Sequence, residues 1–123
     1  MTSRQHHFRK GIWAEHIAAW FLRFKGYRLL KQRWRTPVGE IDLLMKKGNT
    51  LVVIEVKYRP TYEQAVESIH RSQQRRLLKA GQVALQRYGT PKTTLRFDAF
   101  VIYKKGWPQH LVDCWQNMSH KNR

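Results

Sequence analysis

Three charged residues that could take part in catalysis, Asp42, Glu55 and Lys57, stand within or directly after two apolar segments in the middle of the chain. Asp42 lies within the apolar run at positions 41–45, and Glu55 and Lys57 follow a second run at 51–54. Two carboxylates brought together offer the oxygen ligands that Mg²⁺ prefers. This spacing therefore predicts a site for Mg²⁺ or Mn²⁺ with a lysine beside it.

Two paired strands would have to position these residues. Gly-Asn at positions 48–49 is typical of a two-residue hairpin loop. With that loop, Asp42 lies opposite Glu55 and Glu40 opposite Lys57, and all four side chains share one face of the sheet. Opposed like charges destabilise a sheet, so the acid pair calls for a cation. A one-residue register slip would separate Asp42 from Glu55, and a lone Glu-x-Lys is more often a solvated face.

Two further acids stand at positions that could serve the same site. Glu15 lies on a predicted helix beside Ala18 and Ala19, where it is either a surface acid or a third acid near the metal. Asp98 interrupts an apolar run. Because a buried lone charge is costly, Asp98 either pairs with Arg96 or contributes beside the active face.

The composition favours a globular nucleic-acid-binding domain. The chain has 123 residues, a net charge of +16 and 41% hydrophobic residues, which fits one domain over 1–123 that binds a polyanion. Nucleic acid is the leading candidate for that polyanion, and a membrane surface is the weaker one. No apolar run is long enough to span a bilayer. No signal peptide is visible, so a cytoplasmic location is expected. Cys114, the single cysteine, is expected to be a buried structural thiol.

Clustered cations indicate a surface that tracks phosphates. Several arginines stand close together in sequence, and Trp34 separates two of them, a pattern typical of nucleic-acid contacts. The candidates for nucleic-acid binding are Arg33, Arg35, Arg59, Arg71, Arg75 and Arg76.

The periodicity predicts the element order αβββαβ with a short closing strand. Helices are expected at 11–25 and 68–88, each followed by a glycine at its C-terminal end, and Pro60 is expected to end the third strand. The last strands are expected at 95–103 and 111–115. The basic arm at 1–10 and the polar tail at 116–123 are expected to be flexible.

Taken together, these segments resemble the YraN family. The resemblance rests on Gly39-Glu40-Ile41-Asp42-Leu43 and Glu55-Val56-Lys57, with Glu15 upstream and Arg96-Phe97-Asp98 downstream, and it covers about residues 11–102. It implies a restriction-endonuclease-like α/β core, a central mixed sheet flanked by helices, shared with archaeal Holliday-junction resolvases.

The resemblance also implies a function. Asp42 and Glu55 would bind the metal, Lys57 would assist the attacking water, and Glu15 matches the helix-borne acid. Glu40, Gln73 and Asp98 are accessory candidates, and Gln73 stands where family members often have lysine. The prediction is a Mg²⁺-dependent endodeoxyribonuclease for DNA, including branched or structured DNA. The alternative is a non-catalytic DNA- or RNA-binding protein that keeps the fold. A homodimer is expected by analogy with junction-cutting enzymes.

Overall fold

The computed structural model of the protein describes residues 3–71 and 74–114. Their elements follow one another in the order α1–β1–β2–β3–α2–α3–β4–β5. The bounds are α1 Ser3–Phe24, β1 Arg28–Thr36, β2 Gly39–Lys47, β3 Thr50–Arg59, α2 Tyr62–Arg71, α3 Gln74–Tyr88, β4 Thr94–Tyr103 and β5 Gln109–Leu111.

The strands form one mixed five-stranded sheet in sequential order. Neighbouring strands are antiparallel except β3 and β4, which are parallel and joined through α2 and α3. Helix α1 packs against β1–β3, while α2 and α3 pack against the opposite face. This confirms the predicted α/β fold with a mixed sheet flanked by helices, consistent with a restriction-endonuclease-like core.

The end of α1 follows the sequence prediction closely. The N–H of Tyr27 donates to the carbonyl of Leu22, and the N–H of Gly26 donates to Arg23, both at 3.0 Å. This pair of bonds is a Schellman motif, and Gly26 accommodates it with a φ of 93°. Helix α1 begins at Ser3 rather than at position 11, so its first turns extend further back than the apolar periodicity indicated.

Two other boundaries differ from the sequence prediction. The segment expected to form one helix at 68–88 contains the end of α2 and the whole of α3, and α2 already begins at Tyr62, shortly after Pro60. The closing strand ends at Leu111 instead of beginning there. It ends because Asp113 adopts a left-handed φ of 59° and donates its N–H to the Asp98 side chain.

Each face of the sheet carries its own apolar core. Ala14, Ala18 and Leu22 of α1 cover one face, and Leu77, Ala80 and Ala84 of α3 contribute to the other. Cys114 lies half-buried at the edge of the α3-side core, and its Sγ donates to the carbonyl of Leu111 at 3.0 Å. Burial raises the pKa of this thiol to about 11, so it is protonated at neutral pH and suited to a structural role.

One irregularity in the first hairpin shapes the region of the candidate site. Residues two apart on a strand normally share a face, yet Ile41 packs on the α3 side and Leu43 on the α1 side. On the paired strand β1, Arg33 adopts a φ of 50°, the left-handed region that costs a non-glycine residue about 1–2 kcal/mol. The regular alternation of side chains between the two faces of the hairpin is therefore interrupted at Arg33 and Asp42.

None of the helices within the described ranges combines the length and the apolar character that a membrane crossing requires.

Candidate active site

A cleft of about 700 Å³ opens between α1 and the ends of β2 and β3. Its wall combines carboxylates and cations from α1, from β1–β3 and from the residue after β4. The lining residues that bear charge are Glu15, Arg33, Glu40, Asp42, Lys57, Arg59 and Lys104.

A smaller cavity lies next to this cleft and shares two of its acids. Glu40, Asp42 and Glu55 line it together with Arg76 and Leu77 of α3. Its volume is about 20 Å³, enough for about one water molecule or ion. Four of the eight acidic residues in this +16 chain thus surround two adjoining spaces.

Asp42 occupies the point where β2 and β3 separate. The predicted register is confirmed from Lys47↔Thr50 to Leu43↔Ile54. The next expected pairs, Asp42 with Glu55 and Glu40 with Lys57, are wrong, because the ladder ends at Leu43.

Beyond the end of the ladder, a side chain replaces a backbone carbonyl as the hydrogen-bond acceptor. The N–H of Val56 donates to Oδ2 of Asp42 at 2.9 Å, so a carboxylate accepts the bond that a backbone carbonyl would otherwise take. The result places the Asp42 side chain against β3, at the boundary of the cleft and the small cavity.

The environment of Asp42 opposes its ionisation. Burial raises the pKa of Asp42 to about 6, and the charges of Glu55 and Glu40 act in the same direction. The Val56 N–H and Lys57 partly offset them. A nearby cation would favour the ionised form of this carboxyl group, because its attraction offsets both the cost of burial and the repulsion from the other acids.

Glu55 is a buried acid of the site. Its side chain is 8% exposed, and Oε1 lies 3.0 Å from Lys57 Nζ. Its other oxygen, Oε2, is buried and has no hydrogen-bond partner among the described residues. Buried polar atoms without partners are rare and costly, so Oε2 is an acceptor available to a ligand.

Glu15 approaches the same acids from α1. Both of its carboxylate oxygens lie 3.5 Å from Nη1 of Arg33. Burial raises the pKa of Glu15 to about 7, and the charges of Asp42 and Glu40 add to the rise while Arg33 opposes it. Glu15 therefore exchanges a proton near neutral pH. The left-handed backbone of Arg33 is what turns its guanidinium toward α1.

Arg76 reaches the acids from the opposite face. Its side chain passes over Gly39, where a Cβ atom would lie 2.6 Å from Arg76 Cγ. Gly39 also has a φ of 153°, which L side chains rarely adopt. The sequence prediction placed Arg76 in a general phosphate-binding surface, whereas in the fold it also lines the acidic cavity.

The remaining cations predicted from the sequence are dispersed. Arg59 lines the cleft, and its Nη1 donates to the carbonyl of Tyr58. Arg35 is exposed and lies 3.5 Å from Glu40. Arg71 pairs with Glu67 on the outside of α2. Arg75 lines a separate depression of about 580 Å³ with Val38, Gln74, Arg76 and Lys79. Gln73 lies outside the described residues.

Asp98 lies in a different environment. Its carboxylate accepts bonds from Arg96 at 2.7 and 2.9 Å, from the Asp113 N–H at 2.9 Å, and lies 2.8 Å from His110 Nε2. Burial pushes the pKa of Asp98 up, but these bonds and the Arg96 charge bring it below its usual value. The contacts favour the structural interpretation of Asp98 over a role beside the cleft.

Two residues with polar side chains that line the cleft were not among the site residues predicted from the sequence. Tyr58 follows Lys57 on β3, and Lys104 follows the end of β4. Strands β3 and β4 are parallel, with Arg59 opposite Tyr103, so their carboxyl ends meet at one edge of the sheet. Recognising that parallel pairing from the helices between the two strands would have indicated Lys104.

The donor set suits a hard divalent cation. Asp42 and Glu55 supply carboxylate oxygens at the same cavity, and one of those oxygens has no described partner. Within residues 3–71 and 74–114, no three His, Cys, Asp or Glu side chains are grouped closely enough to hold a metal by themselves. Mg²⁺ commonly takes only one or two carboxylates and keeps several waters, so two acids are compatible with it.

Comparison with known proteins places these residues within a shared sequence family. A family model described as "Uncharacterised protein family UPF0102" matches residues 14–102. A UPF0102 protein of Parvibaculum lavamentivorans is 44% identical over 110 residues, covering 89% of this chain and 83% of that protein. One from Chelativorans sp. is 41% identical and covers 92% of both chains. One from Bartonella tribocorum is 38% identical, covering 88% of this chain and 84% of that protein.

Proposed function

Because the chain belongs to the UPF0102 family, which is the YraN family predicted from the sequence, we propose that it is a metal-dependent endonuclease that hydrolyses DNA phosphodiester bonds. The observation that carries the proposal is the pairing of Asp42 and Glu55 at one small cavity in a strongly basic chain. Concentrating acids there is unfavourable for binding a polyanion, unless a cation joins them.

Asp42 and Glu55 would hold Mg²⁺ or Mn²⁺. Such an ion lowers the pKa of a bound water and stabilises the negative charge that develops on a phosphate during hydrolysis. Glu55 is pre-positioned for this role because Lys57 contacts its Oε1, while its buried Oε2 has no hydrogen-bond partner among the described residues. Asp42 is held by the Val56 N–H.

Lys57 would position the attacking water or bind a phosphate oxygen. Its ammonium group lies 3.0 Å from Glu55 and its side chain is 25% exposed in the cleft. The ion pair fixes the long side chain in one orientation, which reduces the entropy lost when it engages the substrate. Glu15, whose pKa is about 7, would orient Arg33 and accept or release a proton near neutral pH.

The other cations would hold the nucleic-acid backbone. Arg59 and Lys104 line the same cleft as the acids, and Arg75 and Lys79 border the neighbouring depression. Contacts of this kind bind phosphates without reading bases.

The resemblance also predicts branched or structured DNA as the substrate and a homodimer as the oligomeric state. Sedimentation velocity tests whether the protein is a dimer.

One observation supports the alternative of a non-catalytic nucleic-acid-binding protein. The acids of the cleft already have internal cations, since Lys57 lies 3.0 Å from Glu55 and Arg33 lies 3.5 Å from Glu15. Such pairs offset part of the repulsion without a metal. A protein that had kept the fold and lost the reaction could retain this arrangement.

A cleavage assay separates the two functions. Labelled duplex, single-stranded and four-way-junction DNA are incubated with Mg²⁺ or Mn²⁺ and purified protein. Asp42→Asn and Glu55→Gln are expected to lower cleavage by more than about 100-fold, equivalent to roughly 3 kcal/mol of transition-state stabilisation. Lys57→Ala should keep metal binding, measured by calorimetric titration, and lose turnover.

Glu67→Gln is the matched control. It removes one negative charge from an exposed pair on α2, outside the cleft. Cleavage should stay unchanged in this variant, and DNA binding by Asp42→Asn should be equal to or stronger than that of the wild type. Failure of the wild type to cut with either metal, or full activity in Asp42→Asn and Glu55→Gln, would reject the enzyme and favour the binding protein.

A further inference from the structure

Helix α1 has an exposed aromatic surface that the proposed hydrolysis does not use. Its buried side consists of Ala14, Ala18 and Leu22. On other sides, Trp13 is 51% exposed, Trp20 59% and Phe24 89%. Scattered exposed apolar side chains are normal on proteins, so the position of each ring relative to the cleft decides which of them has a function.

Trp13 contacts a residue that lines the cleft. It packs edge-to-face on Tyr58, with ring centroids 5.7 Å apart and the planes at 81°. Tyr58 lines the cleft, between the cleft residues Lys57 and Arg59. The Tyr58 contact holds the indole in place, and half of the indole side chain still faces solvent.

Near Trp13, helix α1 also forms part of the cleft wall. Gly11 and Ala14, two residues before and one residue after Trp13 in the sequence, both line the cleft. Apart from its chain neighbours and the backbone of α1, no atom of the described residues would lie within 4 Å of a Cβ atom at Gly11. Glycine within a helix costs about 0.5–1 kcal/mol relative to alanine. The sequence therefore bears a local cost at a position that leaves the mouth of the cleft unobstructed.

Cations line the same cleft as Tyr58. Lys57 and Arg59 precede and follow Tyr58 on β3, and Lys104 adds a third cation from the end of β4. Aromatic rings on which bases stack, set beside cations that follow the phosphates, form the common means of binding single-stranded nucleic acid. A duplex keeps its bases stacked on one another, so only an unpaired nucleotide can present a free face to Trp13.

We propose that Trp13 is a stacking site for an unpaired nucleobase, so that the cleft prefers nucleic acid with single-stranded or locally unpaired segments. This inference rests on the proposed nucleic-acid function and specifies its substrate. The phosphate of the stacked nucleotide would lie toward Lys57 and Arg59, on the side of Tyr58 that faces the cleft.

Trp20 provides a matched control on the same helix. It is exposed to a similar extent, but it lies seven residues from Trp13, roughly 10 Å along the helix axis. The guanidinium of Arg23 lies 4.9 Å from its ring centre. Removal of Trp20 therefore deletes an equally large exposed aromatic side chain at a distance from the mouth of the cleft.

The test measures binding in EDTA, so that no cleavage interferes. Fluorescence anisotropy compares a single-stranded oligonucleotide of about 12 residues, within the range that single-strand binding sites cover, with an abasic strand and a duplex of matched length. Trp13→Leu keeps apolar bulk without an aromatic face, and Trp13→Phe keeps a smaller ring. Thermal unfolding verifies that each variant is folded.

Trp13→Leu is expected to weaken binding of the single strand by about tenfold, the lower part of the range for one stacked base. Binding of the abasic strand and the duplex should be unchanged. Trp13→Phe should recover part of the loss, and Trp20→Leu should match the wild type.

Equal losses on the base-containing and abasic strands would overturn the inference, because they would show that Trp13 only supports Tyr58. A Trp20→Leu loss as large as that of Trp13→Leu would overturn it as well, as would no loss in either variant. The outcome is independent of catalysis. Trp13-dependent binding by a protein that cuts no DNA would support the stacking site and reject the nuclease proposal. Cleavage by a protein whose binding does not depend on Trp13 would support the nuclease proposal and reject the stacking site.

Discussion

Asp98 on β4 and the acids around Asp42 on β2 occupy the same sheet in opposite electrostatic states. Asp98 is fully buried, and Arg96, His110 and the Asp113 N–H saturate its two oxygens. Those bonds outweigh burial and lower its pKa. Around Asp42, burial and neighbouring acids prevail, and the pKa of Asp42 rises to about 6.

The same difference extends to the partners of each group. His110 also has a second contact, since its Nδ1 lies 2.8 Å from Lys25 Nζ. Arg96 likewise donates to the Tyr27 hydroxyl at 2.7 Å. Both side-chain partners of Asp98 are thus engaged in turn. Glu55 Oε2, by contrast, is buried and has no described partner. A saturated acid ties the fold together, whereas an unsaturated one is available to a ligand.

The largest expected effect is the loss of the saturated acid. Asp98→Ala should lower the free energy of unfolding by about 3–5 kcal/mol, because it leaves Arg96 buried in part without its counter-charge. Urea denaturation measures the change. Glu67→Ala, which removes one partner of an exposed i,i+4 pair with Arg71, should change stability by about 0.5 kcal/mol or less. Similar values for both variants would remove the contrast between the two environments.

The second expected effect has the opposite sign. For Asp42 and Glu15, whose pKa values are about 6 and 7 in the folded chain, the native state binds protons more tightly than the unfolded state. Their contribution to stability is therefore most favourable below about pH 4 and is lost as pH rises toward 7. Asp42→Asn should raise the free energy of unfolding by about 2 kcal/mol at pH 8 and by little at pH 4.

Urea denaturation in EDTA at several pH values tests this behaviour, with the difference between variant and wild type as the readout. That difference removes the background from other titrating groups. Asp98 provides the internal comparison, since a lowered pKa makes its contribution fall only as pH drops below about 4. Destabilisation by Asp42→Asn at pH 8 would show that Asp42 is saturated in the same way as Asp98.

The smallest expected effect concerns the Arg76 side chain, which crosses Gly39 to line the small cavity with Asp42 and Glu55. Gly39→Ala should lower the free energy of unfolding by about 1–2 kcal/mol, since its φ of 153° is strained for alanine. The new Cβ would also displace Arg76. Gly48→Ala is the control, because Gly48 has a φ of 58° but open space around it.

The two alanine variants should therefore differ at the acids. Both should lose stability, but only Gly39→Ala should shift the pKa of Asp42 upward, measured by carboxyl chemical shifts during an NMR titration. An unchanged titration would show that Arg76 does not contribute to the field at the cavity.

Much of the fold was predictable because its signals are local. Gly26 ends α1, the Gly48–Asn49 loop sets the register through Leu43↔Ile54, and Pro60 follows the last residue of β3. Each depends on backbone preferences over a few residues. The closing strand was misplaced because the left-handed turn at Asp113 depends on Asp98, fifteen residues earlier in the chain.

The candidate site was predictable only in part. The sequence indicated that Asp42 and Glu55 belong together, but it placed them as a cross-strand pair, and in the fold the ladder stops one residue before that pair. In place of that cross-strand pair, the Asp42 side chain accepts a hydrogen bond from the Val56 N–H. A side chain that competes for a backbone hydrogen bond is invisible to an argument based on strand alternation.

By itself, the sequence determined the element types, the turns, the strongly basic charge and the residues that could bind a divalent cation, because these follow from composition and local backbone chemistry. Only the tertiary structure decided which cations face those acids. Arg33, Arg76 and Lys104 reach the site from β1, α3 and the end of β4. Their approach depends on a left-handed backbone, a missing Cβ and a parallel strand pairing, and none of these has a consequence until distant segments pack against one another.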